Sequence, residues 1–260
     1  MSTHSNKGFV GKSVPRREDQ RLLCGRGEYI ADFTLPGMLH VAFVRSSVAH
    51  ARIKSVDLSR AAAAPGVRFV MSGLDLAKEI PPVQDQQLPL PRKWRTTVPH
   101  KIFDPRQPLL AWDKVRHVGE AVAVVVADNR YLAEDAVDLV TVDYDFLAPV
   151  VNAEAALDAD AAVLHEQNGT NLLAEFSVAK GDVASAFANA KQTLKRRFYH
   201  HRYAGIPMEC RGVAAMHEPR TDAVTVWSST QVVHWVRREV ALTLGMSEAR
   251  VRCVALDVGG

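Results

Sequence analysis

The sequence predicts an α+β fold, and three observations carry that prediction. The run EAVAVVVA at 120–127 is apolar nearly without interruption, as a strand covered on both faces is, and it leads into an amphipathic helix and another strand. Apolar and polar residues alternate in MLHVAFVR at 38–45 and in ARIKSVD at 51–57, the pattern of half-buried strands. The last 40 residues read as strand, helix, strand.

Taken in order, the opening residues 1–18 are polar and form an arm. After the strands at 38–45 and 51–57, LSRAAAA at 58–64 forms a short helix that Pro65-Gly66 ends. A strand follows at 67–71. The segment 81–108 is rich in proline and glutamine and reads as a long loop. Asp128 or Asn129 can cap a helix over 130–139, where Leu132, Ala136 and Leu139 share a stripe. VTVDY at 140–144 is a strand. The alanine- and aspartate-rich stretch 152–169 reads as a linker. Beyond it, 175–179 is strand-like, Asp182 caps a helix over 183–190, and 193–203 reads as a long basic strand. Strands at 212–217 and 223–228 precede a helix over 231–244, in which Val232, Val236, Val240 and Leu244 recur every four residues and which Gly245 closes. The final strand is RVRCVAL at 250–256.

Composition excludes several classes. At 260 residues, 47% hydrophobic, 23% charged and a net charge of +3, the chain is an ordinary globular one, without the basic stripe of a nucleic-acid binder. Cys24, Cys210 and Cys253 lack C-x-x-C spacing, against a zinc ribbon, an iron–sulfur cluster or a disulfide framework. No secretory signal or membrane-spanning run is visible, so a soluble cytoplasmic protein is expected.

The closing strand–helix–strand unit carries the candidate site. If its strands are parallel, Ser229-Thr230-Gln231 and Asp257-Val258-Gly259-Gly260 both stand at carboxyl ends of strands, where open α/β sheets bind ligands. Gln231 would open a helix whose free amides suit an anion. Gly259 and Gly260 would let backbone approach a bulky ligand. Elsewhere, His200, His201, Glu209 and Cys210 are all metal-ligand types, but adjacent histidines on a strand face opposite ways, so a basic surface is the reading there. Cys24 reads as a small core residue, and Trp227 and Trp235 as core aromatics. Glu209 reads as a structural hydrogen-bonding carboxylate.

Several long segments, in order, resemble a known family. Residues 17–27 with Tyr29 and Asp32, LPGMLHVAFVRSSVAHARIKSVD, PGVRFV and HVGEAVAVVVADNRYLAEDAVDLVTVDYDFLAPVV resemble the a/b hammerhead domain of the xanthine dehydrogenase, aldehyde oxidase and aerobic carbon monoxide dehydrogenase family. PMECRGVAA, VWSSTQ and DVGG resemble the start of its molybdopterin-binding domain.

The resemblance implies a division into an arm at 1–18, a hammerhead domain at 19–150, a linker at 151–170 and an incomplete molybdopterin-binding domain at 171–260. It implies cofactor-binding roles for Gln231, Gly259 and Gly260, and no direct metal ligand. The general-base glutamate is expected beyond Gly260. The chain is therefore expected to be an N-terminal fragment of a molybdenum large subunit, inactive alone. The intact enzyme would oxidise an aldehyde, an N-heterocycle or carbon monoxide with oxygen from water. Molybdopterin, in its cytosine dinucleotide form, is the implied cofactor. A medium subunit with FAD and a small subunit with 2Fe-2S centres are the implied partners. The alternative is a non-catalytic assembly module of such a complex, or an inactive gene fragment.

Overall fold

The computed structural model describes residues 8–80, 100–102, 108–178 and 180–260. It divides into two compact units that do not follow chain order: Pro36–Arg202 is one, and residues up to Leu35 join Tyr203–Gly260 in the other.

The first unit is built on two antiparallel three-stranded sheets. Strands β1 (His40–Arg45) and β2 (Ala51–Asp57) fall where alternation predicts them, and β3 (Val67–Ser72) falls where a strand is expected. β4 (His100–Ile102) and β5 (Lys114–Val115) are short, and β6 is Ala121–Ala127. β6 lies between β1 and β3, while β2 lies between β5 and β7 (Thr141–Phe146). Central placement explains the apolar run, since Val122, Ala123, Val125 and Ala127 are all fully buried. β6 feeds two clusters, one with Val44, Ala51, Ala111 and Val115, the other with Ala61 and Ala136. Each fully buried valine is worth about 1.5–3 kcal/mol of transfer free energy.

The helices at 59–62, 130–137 and 183–188 fall where the sequence places them, whereas those at 73–79 and 19–23 were not anticipated. In this unit the helices are α2 (Ser59–Ala62), α3 (Gly73–Glu79), α4 (Arg130–Val137) and α5 (Val183–Ala188); α1 (Asp19–Leu23) belongs to the other unit. Asn129, not Asp128, caps α4, accepting from the Leu132 amide at 3.0 Å. Asp128 instead takes Arg68 in a paired contact at 2.6 and 2.9 Å. Asp182 caps α5 by accepting from Ser185 N at 3.0 Å. At the start of α3, a Cβ on Gly73 would lie 2.0 Å from the Ala111 carbonyl oxygen, so only glycine fits.

Two expectations are corrected in this unit. His100–Ile102 is a strand, paired antiparallel to β8 (Ala174–Phe176), inside the segment read as loop; most of 81–108 lies outside the described residues. The basic strand expected at 193–203 does not form: residues 191–207 carry no strand and are exposed throughout. A strand needs a hydrogen-bonded neighbour, and none reaches this segment among the described residues. His200 and His201 lie on this coil. The polar stretch after residue 150 is held by side chains. Asn171 donates to the Ala156 and Ala162 carbonyls and accepts from Leu164 N, and Arg116 Nε donates to the Leu164 carbonyl. Lys114, only 1% exposed, reaches Glu166 at 2.8 Å. No helix among the described residues is long and apolar enough to cross a membrane.

Candidate functional site

The second unit holds a three-stranded sheet in the order β11-β10-β9. β9 (Val213–Glu218) runs antiparallel to β10 (Ala223–Ser228), and β10 runs parallel to β11 (Val251–Val254). Helix α6 (Val233–Thr243) connects the parallel pair. Gly245 closes it in the left-handed conformation at φ 63°, with Met246 N donating to the Ala241 carbonyl at 2.9 Å.

Both candidate loops therefore stand at carboxyl ends of adjacent parallel strands, and the turn before β9 stands at the same edge. Ser229 knits that edge together. Its amide donates to the Gly212 carbonyl at 3.2 Å, and its hydroxyl accepts from Gly212 N at 3.1 Å. Gln231 is exposed in the loop and does not open the helix, which begins two residues later. Thr230 Oγ1 accepts from Val232 N at 3.2 Å, a local turn that competes with helix and delays its start. The amino end of α6, with its positive dipole end, still follows directly from this loop.

The closing segment is fixed at each residue that matters. Gly259 N donates to Glu209 Oε2, and the Gly260 carbonyl accepts from Met208 N at 2.8 Å. A Cβ on Gly259 would stand 2.9 Å from Glu209 Cβ, whereas one on Gly260 would meet nothing within 4 Å. Glu209 Oε1 is buried and has no partner among the described residues. Asp257 accepts from Arg21 Nη1 at 2.5 Å, Arg21 Nη2 at 2.7 Å and Glu28 N at 2.8 Å. The hydrogen bonds from Arg21, and then that from the Glu28 amide, hold the Asp257 carboxyl down to about 2.

Of the residues singled out from sequence, Gln231, Gly259 and Gly260 share this edge. Arg21 and Asp257 as a pair were not anticipated; the signal available was only an arginine in the opening segment and an aspartate leaving a strand. Cys24 is exposed rather than in a core, and Trp235 is 48% exposed because it lies on the outer face of α6. Trp227 does pack, against Phe33 with ring centroids 4.8 Å apart. Burial raises the Cys253 thiol above its ordinary value.

Comparison with known proteins places this geometry. Residues 24–148 match the family model "Aldehyde oxidase and xanthine dehydrogenase, a/b hammerhead domain", and residues 164–260 match "Molybdopterin cofactor-binding domain". The chain is 37% identical over 254 residues to the nicotine 6-hydroxylase large subunit of Paenarthrobacter nicotinovorans, covering 98% of this chain and 30% of that protein. It is 35% identical over 257 residues to the carbon monoxide dehydrogenase large chain of Hydrogenophaga pseudoflava, covering 94% of this chain and 30% of that one. Quinoline 2-oxidoreductase from Pseudomonas putida 86 superposes with a TM-score of 0.84 at 39% identity, over 98% of this chain and 31% of that chain. The chain thus belongs to the aldehyde oxidase and xanthine dehydrogenase family, carrying the hammerhead domain followed by a stretch of the molybdopterin cofactor-binding domain. It spans about 30% of the length of these relatives.

The residues present suit a large anionic, donor-bearing cofactor. The edge offers two glycines, the exposed amide of Gln231 and the amino end of an 11-residue helix. Glu209 Oε1 is a buried acceptor without a donor among the described residues, so a donor-bearing ligand would fit beside it.

Proposed function

We propose that this chain forms part of the large subunit of a molybdenum-dependent hydroxylase, and that the edge bearing Gln231, Gly259 and Gly260 holds its molybdopterin. The observation carrying this reading is the pair of loops at the carboxyl ends of β10 and β11, in a stretch matching a molybdopterin cofactor-binding domain. The bound group supplies two-electron redox chemistry, with oxygen taken from water.

The chain's own residues bind and orient. Gly259 and Gly260 admit the ligand to backbone distance, and Glu209 holds the Gly259 amide in place. Gln231 would hold the group by donating from its side-chain amide. The substrate class is an aldehyde, an N-heterocycle or carbon monoxide. Electrons leave to 2Fe-2S and FAD centres on a small and a medium partner subunit in the cytoplasm, and the cofactor is the cytosine dinucleotide form. In the same proposal, residues 19–150 constitute the hammerhead domain, 151–170 a connecting segment and 171–260 the beginning of the cofactor domain.

The test is Gln231→Ala in a complete large subunit, measuring turnover, molybdenum content and melting temperature together. Turnover should fall by on the order of a hundredfold, as when one preorganised donor is removed. Melting temperature of the cofactor-free protein should hold, because Gln231 is exposed. Near-normal turnover sinks the assignment.

A further inference from the structure

We propose that Arg21 is a positioning residue for the cofactor-holding loop, acting through Asp257 to fix where Gly259 and Gly260 stand. This rests on the reading of that edge as the molybdopterin site and adds to it a segment far away in sequence. Arg21 lies ahead of the first residue matched by either family model.

The geometry is a two-sided clamp. From one side, Arg21 grips Asp257 through both terminal nitrogens and also donates to the Arg26 carbonyl at 3.2 Å, so the guanidinium is oriented from two directions. The Glu28 backbone holds Asp257 as well: Glu28 N donates to the Asp257 side-chain carboxylate at 2.8 Å, and Asp257 N donates to the Glu28 carbonyl at 2.9 Å. From the other side, Glu209 takes the Gly259 amide and Met208 donates to the Gly260 carbonyl. The opening segment is seated on the same edge by apolar contacts. Ile30 packs so closely on Gly212 that a Cβ there would lie 2.3 Å from Ile30 Cγ2, and Phe33 stacks on Trp227 near the end of β10.

Glycines carry no side chain to anchor them, so a Gly-Gly segment after a strand has a large choice of backbone conformations. Anchoring Asp257, two residues earlier, removes much of that choice before any ligand arrives. Ordering paid in advance is retained as binding strength. The side chain at position 21 is thus remote from the ligand yet sets the shape presented to it.

Amide exchange followed by mass spectrometry on the 260-residue chain is the first measurement. Arg21→Met keeps the apolar stem and removes the charged bonds; it should speed exchange in 251–260 about tenfold, the loss expected for a charge-assisted hydrogen bond. Arg21→Lys keeps the charge without the bidentate grip and should fall between. Arg16→Ala breaks a separate ion pair with Asp19 in the same segment and should leave 251–260 unchanged. Unchanged exchange in Arg21→Met, or an equal rise in Arg16→Ala, overturns the inference. The second measurement is pterin and molybdenum retained after gel filtration of a complete large subunit. If Gln231→Ala and Gly260→Ala leave retention intact, the cofactor reading itself fails. If they reduce it and Arg21→Met does not, the cofactor reading stands and the positioning role fails.

Discussion

Gly259 and Gly260 are neighbours of the same type, yet the structure assigns them different reasons for being glycine, and substitution separates those reasons. Gly259→Ala places a methyl group 2.9 Å from Glu209 Cβ and 3.1 Å from Glu209 Oε2. The first contact is not the far end of a flexible chain, so backbone must move. Loss of glycine freedom in the unfolded chain favours alanine by about 0.4–1 kcal/mol, while forced overpacking costs about 1–3 kcal/mol, so the overlap wins. Gly260→Ala meets no atom within 4 Å and should be neutral in the cofactor-free chain. Glu209→Gly removes the opposing Cβ. It loses one hydrogen bond, worth about 0.5–1.5 kcal/mol, but also deletes a buried oxygen without a partner, so its own cost is small. The double variant Glu209→Gly with Gly259→Ala should therefore be more stable than the sum of the singles, with a coupling of about 1 kcal/mol. Native-state amide exchange of Ala223–Ser228 and Val251–Val254 reads this unit alone. Gly259→Ala should speed their opening by up to about 80-fold, the net of the two effects. Additive singles, or a Gly260→Ala effect as large as that of Gly259→Ala, would refute the reasoning.

The remaining predictions concern the chain as it stands. Trypsin should cut first after Lys195, Arg196 or Arg197 in the exposed coil; earlier cleavage at Arg52 in β2 or Lys114 would contradict the fold. Asp257 is held at about 2 against an ordinary 3.8, so its contribution is complete above the ordinary value and is lost as pH falls through about 2. Exchange at 257–260 in Asp257→Asn should exceed wild type at pH 5, and the two should converge as pH falls through about 2. A gap that is constant with pH would dismiss the carboxylate as its source. Alkylation at neutral pH should label exposed Cys24 and Cys210 before Cys253, whose thiol is partly buried and raised. Labelling of Cys253 first would show that β11 is open.

What was legible in the sequence, and what was not, divides along the range of the interactions involved. β2 and β10 have the bounds that their alternation gives, and Asn129 and Asp182 cap the helices that they precede. Those signals are local: a side-chain period, or an oxygen three residues from the amide it accepts from. The segment 193–203 has strand-like composition, but strand formation depends on a neighbour that composition does not report. Cys24 and Trp235 were misplaced for a related reason, since apolar character shows what a residue can bury and not whether anything covers it.

The candidate site divides the same way. That Gln231, Gly259 and Gly260 share a sheet edge was legible because strand ends are local features and because the flanking motifs resemble a family. That Gln231 opens the helix was wrong, since the helix begins at Val233. The anchor that makes the glycine segment a defined shape was not legible, because Arg21 and Asp257 lie 236 residues apart. Nothing in either neighbourhood marks them as partners: the opening segment holds several arginines, and the chain has many aspartates. Only folding selects the pair, by seating Ile30 and Phe33 against Gly212 and Trp227 so that residue 21 arrives at the end of β11. A short motif can thus mark the end of a strand, while the residues that hold the motif itself are a property of the fold.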